Sequence, residues 1–136
     1  MGKVLLVGFS PDEAEAVRAS LDGLGVFEVP EYCRDWVVSE IVAKAGELSG
    51  SSNWHLRKFV IMHGLSNEEL KEVIRSVKAL NPGRVIFATT TETALGWKLE
   101  DYLNELMEED EYFQAMRWAR REASQRKGQF LDIGKG

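Results

Sequence analysis

The chain has 136 residues, 44% hydrophobic and 29% charged, with a formal net charge of -5. That size and balance describe one soluble globular domain, large enough to fold around its own core without staples. The one cysteine, Cys33, excludes an internal disulfide; no apolar run approaches the ~20 residues of a membrane helix; and the acidic surface disfavours non-specific nucleic-acid binding.

The chain opens with an apolar strand, about Lys3 to Val7, which suits a central parallel strand covered on both faces. Its four apolar residues are too few for a signal-peptide core, so a cytoplasmic protein is expected. Gly8-Phe9 forms a turn. Ser10 then reads as a helix N-cap, with Pro11 at the first helical position and Glu13 closing a capping box. The helix runs to about Asp22 and turns Ala14, Val17, Leu21 and Leu24 inward. A short strand, Val26 to Val29, stops at Pro30. A second helix is predicted over Asp35 to Leu48, from Val37, Val38, Ile41, Val42, Ala45 and Leu48. Gly50-Ser51-Ser52-Asn53 is the expected mobile loop.

The opening motif then returns 56 residues later. Val60 to Leu80 repeats Val4 to Leu24 with seven of 21 positions identical, including Gly8/Gly64, Ser10/Ser66 and Glu13/Glu69. A third strand, about Phe59 to His63, leads through Gly64-Leu65 to Ser66 as a cap. The helix that follows buries Leu70, Val73, Ile74, Val77 and Leu80, and Asn81-Pro82-Gly83 ends it. A fourth strand covers about Arg84 to Thr89, and Thr90 to Gly96 read as a polar loop. The last helix starts near Trp97 with the stripe Leu99, Tyr102, Leu103, Leu106 and Met107. Asp110 interrupts the stripe; Phe113 and Met116 resume it. Unbroken to Ser124, this helix would be about 40 Å long, so a kink or a protruding end is expected. Residues 1–125 read as one domain and 126–136 as a flexible tail.

Alternating strands and helices predict a three-layer α/β/α fold with a parallel four-stranded sheet, order 2-1-3-4, like half of a Rossmann or flavodoxin sheet. In that arrangement the two glycine turns face each other at the switch point between strands one and three. The candidate ligand-binding residues of this crevice are Ser10, His63, Ser66 and Thr90. Each has a plainer role. Asp12-Glu13 and Glu68-Glu69 satisfy both helix dipoles and repel an anion, so the serines read as caps. His63 reads as a hydrogen-bonded structural residue at a strand end. The threonines after strand four make turns and caps as readily as a pocket. Cys33 and His63 form a nucleophile pair only if strands two and three approach. Two histidines and one cysteine do not make a zinc site, and Glu105, Glu108 and Glu109 read as a solvated face. No catalytic residue, metal or cofactor is assigned.

The charges of the last helix are segregated. Glu100, Asp101, Glu105, Glu108, Glu109, Asp110 and Glu111 precede Arg117, Arg120, Arg121, Arg126 and Lys127. Trp118 lies among the arginines. Tryptophan beside arginine is the composition of a protein-interface anchor, so Phe113, Met116, Trp118 and Arg121 are the candidate interface. Stacking on bases is the other use of that pairing.

The stretch VIMHGLSNEELKEVIRSVKAL, followed by RVIFATTTETALGWKLEDYLNELMEEDEYF, resembles the bacterial and archaeal domain-of-unknown-function family 3783. The likeness covers about residues 59–113 and rests on Ser66-Asn67-Glu68-Glu69-Leu70, Thr89-Thr90-Thr91, Trp97, and Leu99 to Leu106. It implies a small α/β protein and no established activity, cofactor or catalytic residue. The layer order also resembles a phosphate-receiver domain, but no acidic pair precedes Pro11, and His63 stands where a phospho-acceptor aspartate is needed. The expected function is therefore a non-enzymatic interaction or regulatory domain that forms a homodimer. The alternatives are a small-molecule site in the crevice and, less favoured by the charge, nucleic-acid binding by the arginine-rich helix.

Overall fold

Four strands, β1 (Lys3–Val7), β2 (Gly25–Glu28), β3 (Lys58–His63) and β4 (Val85–Thr89), form one sheet in the order β2-β1-β3-β4. The computed structural model describes residues 2–135, with side chains through Ala123. The expected strand order is present, but the sheet is mixed. β1 pairs with β2 in parallel and β3 with β4 in parallel, while β1 and β3 run antiparallel, from Lys3↔His63 to Val7↔Phe59.

The all-parallel prediction fails on the connection between β2 and β3. A parallel β3 needs that connection to carry the chain back across the sheet. Instead it begins and ends at one end. Buried Ser52 accepts from Gly8 N through its carbonyl at 2.6 Å, and its Oγ donates to the Phe9 carbonyl at 3.0 Å. This pins the loop where β1 and β2 finish, and β3 departs from there. The predicted mobile loop at Gly50–Asn53 is thus docked at Ser52.

Helices α1 (Pro11–Ser20) and α3 (Asn67–Ala79) both begin with a complete capping box, at Ser10 with Glu13 and at Ser66 with Glu69. Val4 and Leu6 of β1 and Val60 and Met62 of β3 join Ala14, Val17, Val73 and Val77 in one buried cluster. The alternate residues Leu5, Val7, Phe59 and Ile61 are buried on the opposite face, as the period of two requires. Lys3, which shares that second face, donates to the carbonyl of Val42.

The second predicted helix is shorter than expected. α2 spans only Val38–Ala43, flanked by 3-10 turns at Glu31–Cys33 and Ala45–Glu47. Trp36 and Val37 are withheld from it because they pair with a distant segment: Val37 and Lys98 form an antiparallel bridge. The expected polar loop before the last helix contains a four-residue helix, α4 (Glu92–Leu95), capped by the Thr91 side chain. α5 (Leu99–Lys135) follows.

The chain divides into two compact units, Met1–Asn104 and Glu105–Gly136. The first contains the whole sheet, α1 to α4, and the start of α5, where Leu99, Tyr102 and Leu103 are buried. The second is the remainder of α5. The tail expected at 126–136 falls on side chains outside the described residues.

Candidate functional site

Antiparallel pairing of β1 with β3 sends the two glycine turns to opposite ends of the sheet. Ser10 follows the end where Val7 pairs with Phe59; His63, Ser66 and Thr90 lie at the end where His63 pairs with Lys3. The predicted crevice between facing turns does not form. Ser10 Oγ accepts from Glu13 N at 3.2 Å, and Ser66 Oγ accepts from Glu69 N at 3.1 Å. The two glutamates return the contact to the cap N–H groups at 3.0 and 2.8 Å. Both hydroxyls serve helix starts.

His63 and Thr90 do come together. Nδ1 of His63 lies 2.8 Å from Thr90 Oγ1, and Thr90 N donates to the Met62 carbonyl at 2.9 Å. The backbone bond extends the β3–β4 ladder past Thr89 and places the hydroxyl beside the ring. These are the two of the four predicted ligand-binding residues that touch each other.

Cys33 lies on the chain after β2, at the sheet end away from His63. It is fully buried, and its thiol is pushed up to about 11, first by burial and then by the charge of Glu40. A thiol held protonated there is no nucleophile.

The Ser10 end holds a tightly bonded set of side chains that sequence reasoning missed. Ser52 N donates to Glu28 Oε1 at 3.1 Å, Ser52 Oγ lies 3.1 Å from the same oxygen and shares its one proton between it and the Phe9 carbonyl, and Trp54 Nε1 donates to the Val29 carbonyl at 2.8 Å. His55 Nδ1 accepts from Arg57 N at 2.9 Å, which leaves the ring's proton on Nε2 when neutral. Its ring stands edge-on to Phe59, centroids 5.0 Å apart. Burial, then the Arg57 charge, lower its pKa. Lys58 Nζ bridges Glu13 Oε2 at 2.7 Å and the Pro82 carbonyl. Burial pushes the Glu13 carboxyl up, but the Lys58 bond, the Ser10 bonds and the Lys58 charge together hold it below its ordinary value. The one sequence signal was the charge of Lys58 at the head of an apolar strand. Among the described residues, no buried side-chain nitrogen or oxygen lacks a hydrogen-bond partner. This end is a clamp for the β2–β3 connection.

A groove of about 370 Å³ runs beside β4, lined by Val77, Lys78, Pro82, Arg84, Val85 and Phe87 among others. In the second unit, Phe113 and Trp118 are 58% and 66% exposed, Met116 and Arg121 are also exposed, and Tyr112 meets Phe113 with centroids 5.9 Å apart. Arg126 and Lys127 lie outside the described side chains. Among the described residues no cluster of three His, Cys, Asp or Glu stands at metal-binding spacing, and no helix is long and apolar enough to cross a membrane.

Residues 58–113 match the model of a family described as Domain of unknown function (DUF3783). The likeness covers less than half of the chain. The match begins at the first residue of β3 and takes in α3, β4, α4 and the start of α5. It includes His63, Ser66, Thr90 and Phe113, and leaves β1, α1, β2 and α2 outside. No curated protein and no solved structure matches the chain.

Proposed function

We propose that this protein is a cytoplasmic, non-enzymatic interaction domain that self-associates through its C-terminal helix. The exposure of Phe113, Met116 and Trp118 carries this reading. Phe113 and Met116 are i,i+3 neighbours on one face of the helix, and monomers rarely expose large apolar patches. Tryptophan and arginine are the usual anchors of an interface, and Arg117, Arg120 and Arg121 surround Trp118. The acidic stretch Glu108–Glu111 and the following arginines are complementary in an antiparallel twofold pair. In the same reading the first unit is a three-layer scaffold made from a duplicated β-α-β-α segment, supported by its matching capping boxes. Light scattering coupled to size exclusion tests the proposal, on the full chain and on a truncation after Asp110. The full chain should associate to a higher order than the truncation. A full chain that is monomeric at high micromolar concentration refutes it.

The His63–Thr90 contact supports a second reading, a small-molecule site at that end of the sheet. A ligand there would shift the His63 ring signals in an NMR screen, and Thr90→Val would weaken the response.

A further inference from the structure

The sheet has two edges, and the chain treats them differently. At the β2 edge, Val29 N donates to Leu6 O, so residues 25, 27 and 29 turn their backbone groups toward β1 and residues 26 and 28 turn theirs outward. The outward carbonyl of Val26 accepts from Arg18 Nε at 3.4 Å, Glu28 adds a charge, and Pro30 follows. These are the usual ways of blocking an edge. The β4 edge carries no charged residue and no proline between Val85 and Thr89, the sequence VIFAT.

At β4, Thr90 N donates to Met62 O, so residues 86, 88 and 90 face β3 and residues 85, 87 and 89 present their N–H and C=O groups outward. Among the outward groups, the Thr89 carbonyl accepts from the Tyr102 hydroxyl at 3.3 Å, which leaves its second lone pair. Val85 and Phe87 are only partly buried and pack against the cluster on the α3 face, beside the 370 Å³ groove.

We propose that β4 is an interaction edge that pairs antiparallel with β4 of a second copy, with Phe87 on the twofold axis. That register sets Phe87 opposite Phe87 and Val85 opposite Thr89, so all three outward residues enter bonded pairs. It also places the two Phe87 rings side by side on one face, extending the apolar wall of the groove, an aromatic cross-strand contact that favours such pairing. Charge agrees with the same register. Exposed Arg84 lies just before β4 and exposed Glu92 just after it, so an antiparallel copy brings Arg84 toward Glu92 of the second copy at both ends. A parallel pairing would set like charges together. This surface belongs to the first unit, and the helical patch to the second.

The test uses the full chain carrying Phe113→Ser and Trp118→Ser, which removes the helical patch. Sedimentation of this variant at high micromolar concentration should still show a dimer. Adding Thr89→Pro removes an outward N–H that no strand of the chain uses, and an edge tolerates proline. Circular dichroism should then be unchanged while dimer dissociation rises about tenfold or more. Arg84→Glu should weaken the dimer, and Arg84→Glu with Glu92→Arg should restore it. A monomeric background variant overturns this proposal and leaves the helical reading standing. A dimer indifferent to Thr89→Pro, or a charge swap without rescue, overturns it as well.

Discussion

Trp36 and Trp97 each accept a hydrogen bond from the segment that carries the other. Leu99 N donates to the Trp36 carbonyl at 2.8 Å, and Val38 N donates to the Trp97 carbonyl at 2.8 Å. Each tryptophan N–H in turn bonds three residues back, to Cys33 O and Ala94 O. The exchange fixes where α2 and α5 start, and sends Val38 and Leu99 into the core with no exposure. Leu99→Ala should therefore cost about 2–5 kcal/mol in a urea melt, the range for a leucine cavity. Trp118→Ala, at an exposed position, should stay within about 0.5 kcal/mol at concentrations where the chain is monomeric.

Ser10→Ala and Ser66→Ala should each destabilise by about 1 kcal/mol, the value of a helix N-cap. The two caps share no partner and sit at opposite ends of the sheet, so the double variant should lose the sum. Chemical denaturation of the three variants checks both numbers.

Gly8 and Gly23 both have positive φ, 84° and 94°, yet their surroundings differ. A Cβ on Gly8 would sit 1.9 Å from the Arg57 carbonyl oxygen, whereas a Cβ on Gly23 meets nothing within 4 Å. Gly23→Ala should cost only the left-handed backbone strain, about 1–2 kcal/mol. Gly8→Ala must also displace backbone and should lose more than that. A comparison of thermal midpoints distinguishes the two.

Stability should fall in two stages on acidification. The folded protein holds His55 neutral, with a pKa below the ordinary 6.5, so the unfolded chain takes up its proton first. Stability declines as pH drops below about 6.5 and levels off once the folded pKa is passed. Glu13 is depressed instead, so its contribution is present above the ordinary carboxylate value and is lost as pH falls through the folded one. His55→Phe should flatten the first stage and Glu13→Gln the second, in melts recorded from pH 3 to 8 (about the span of both groups).

Much of the first unit was legible from local chemistry. Ser10 with Glu13, and Ser66 with Glu69, mark helix starts because a capping box closes over three residues and needs no distant partner. The four strands were legible as apolar runs, and their order followed from two short crossovers. The direction of β3 was not. Leu5, Val7, Phe59 and Ile61 on one face, with Val4, Leu6, Val60 and Met62 on the other, make strands apolar on both sides. Such strands read alike in either direction. Their polarity was decided by the docking of Ser52 onto Phe9, 43 residues away in sequence, and that contact has no local signature. With the direction went the site: His63 met Thr90, while Ser10 was carried to the far end of the sheet. Caps, turns and burial periods are short-range properties that a sequence determines by itself. Which glycine turn faces which depends on long-range packing, and only the tertiary structure decided it.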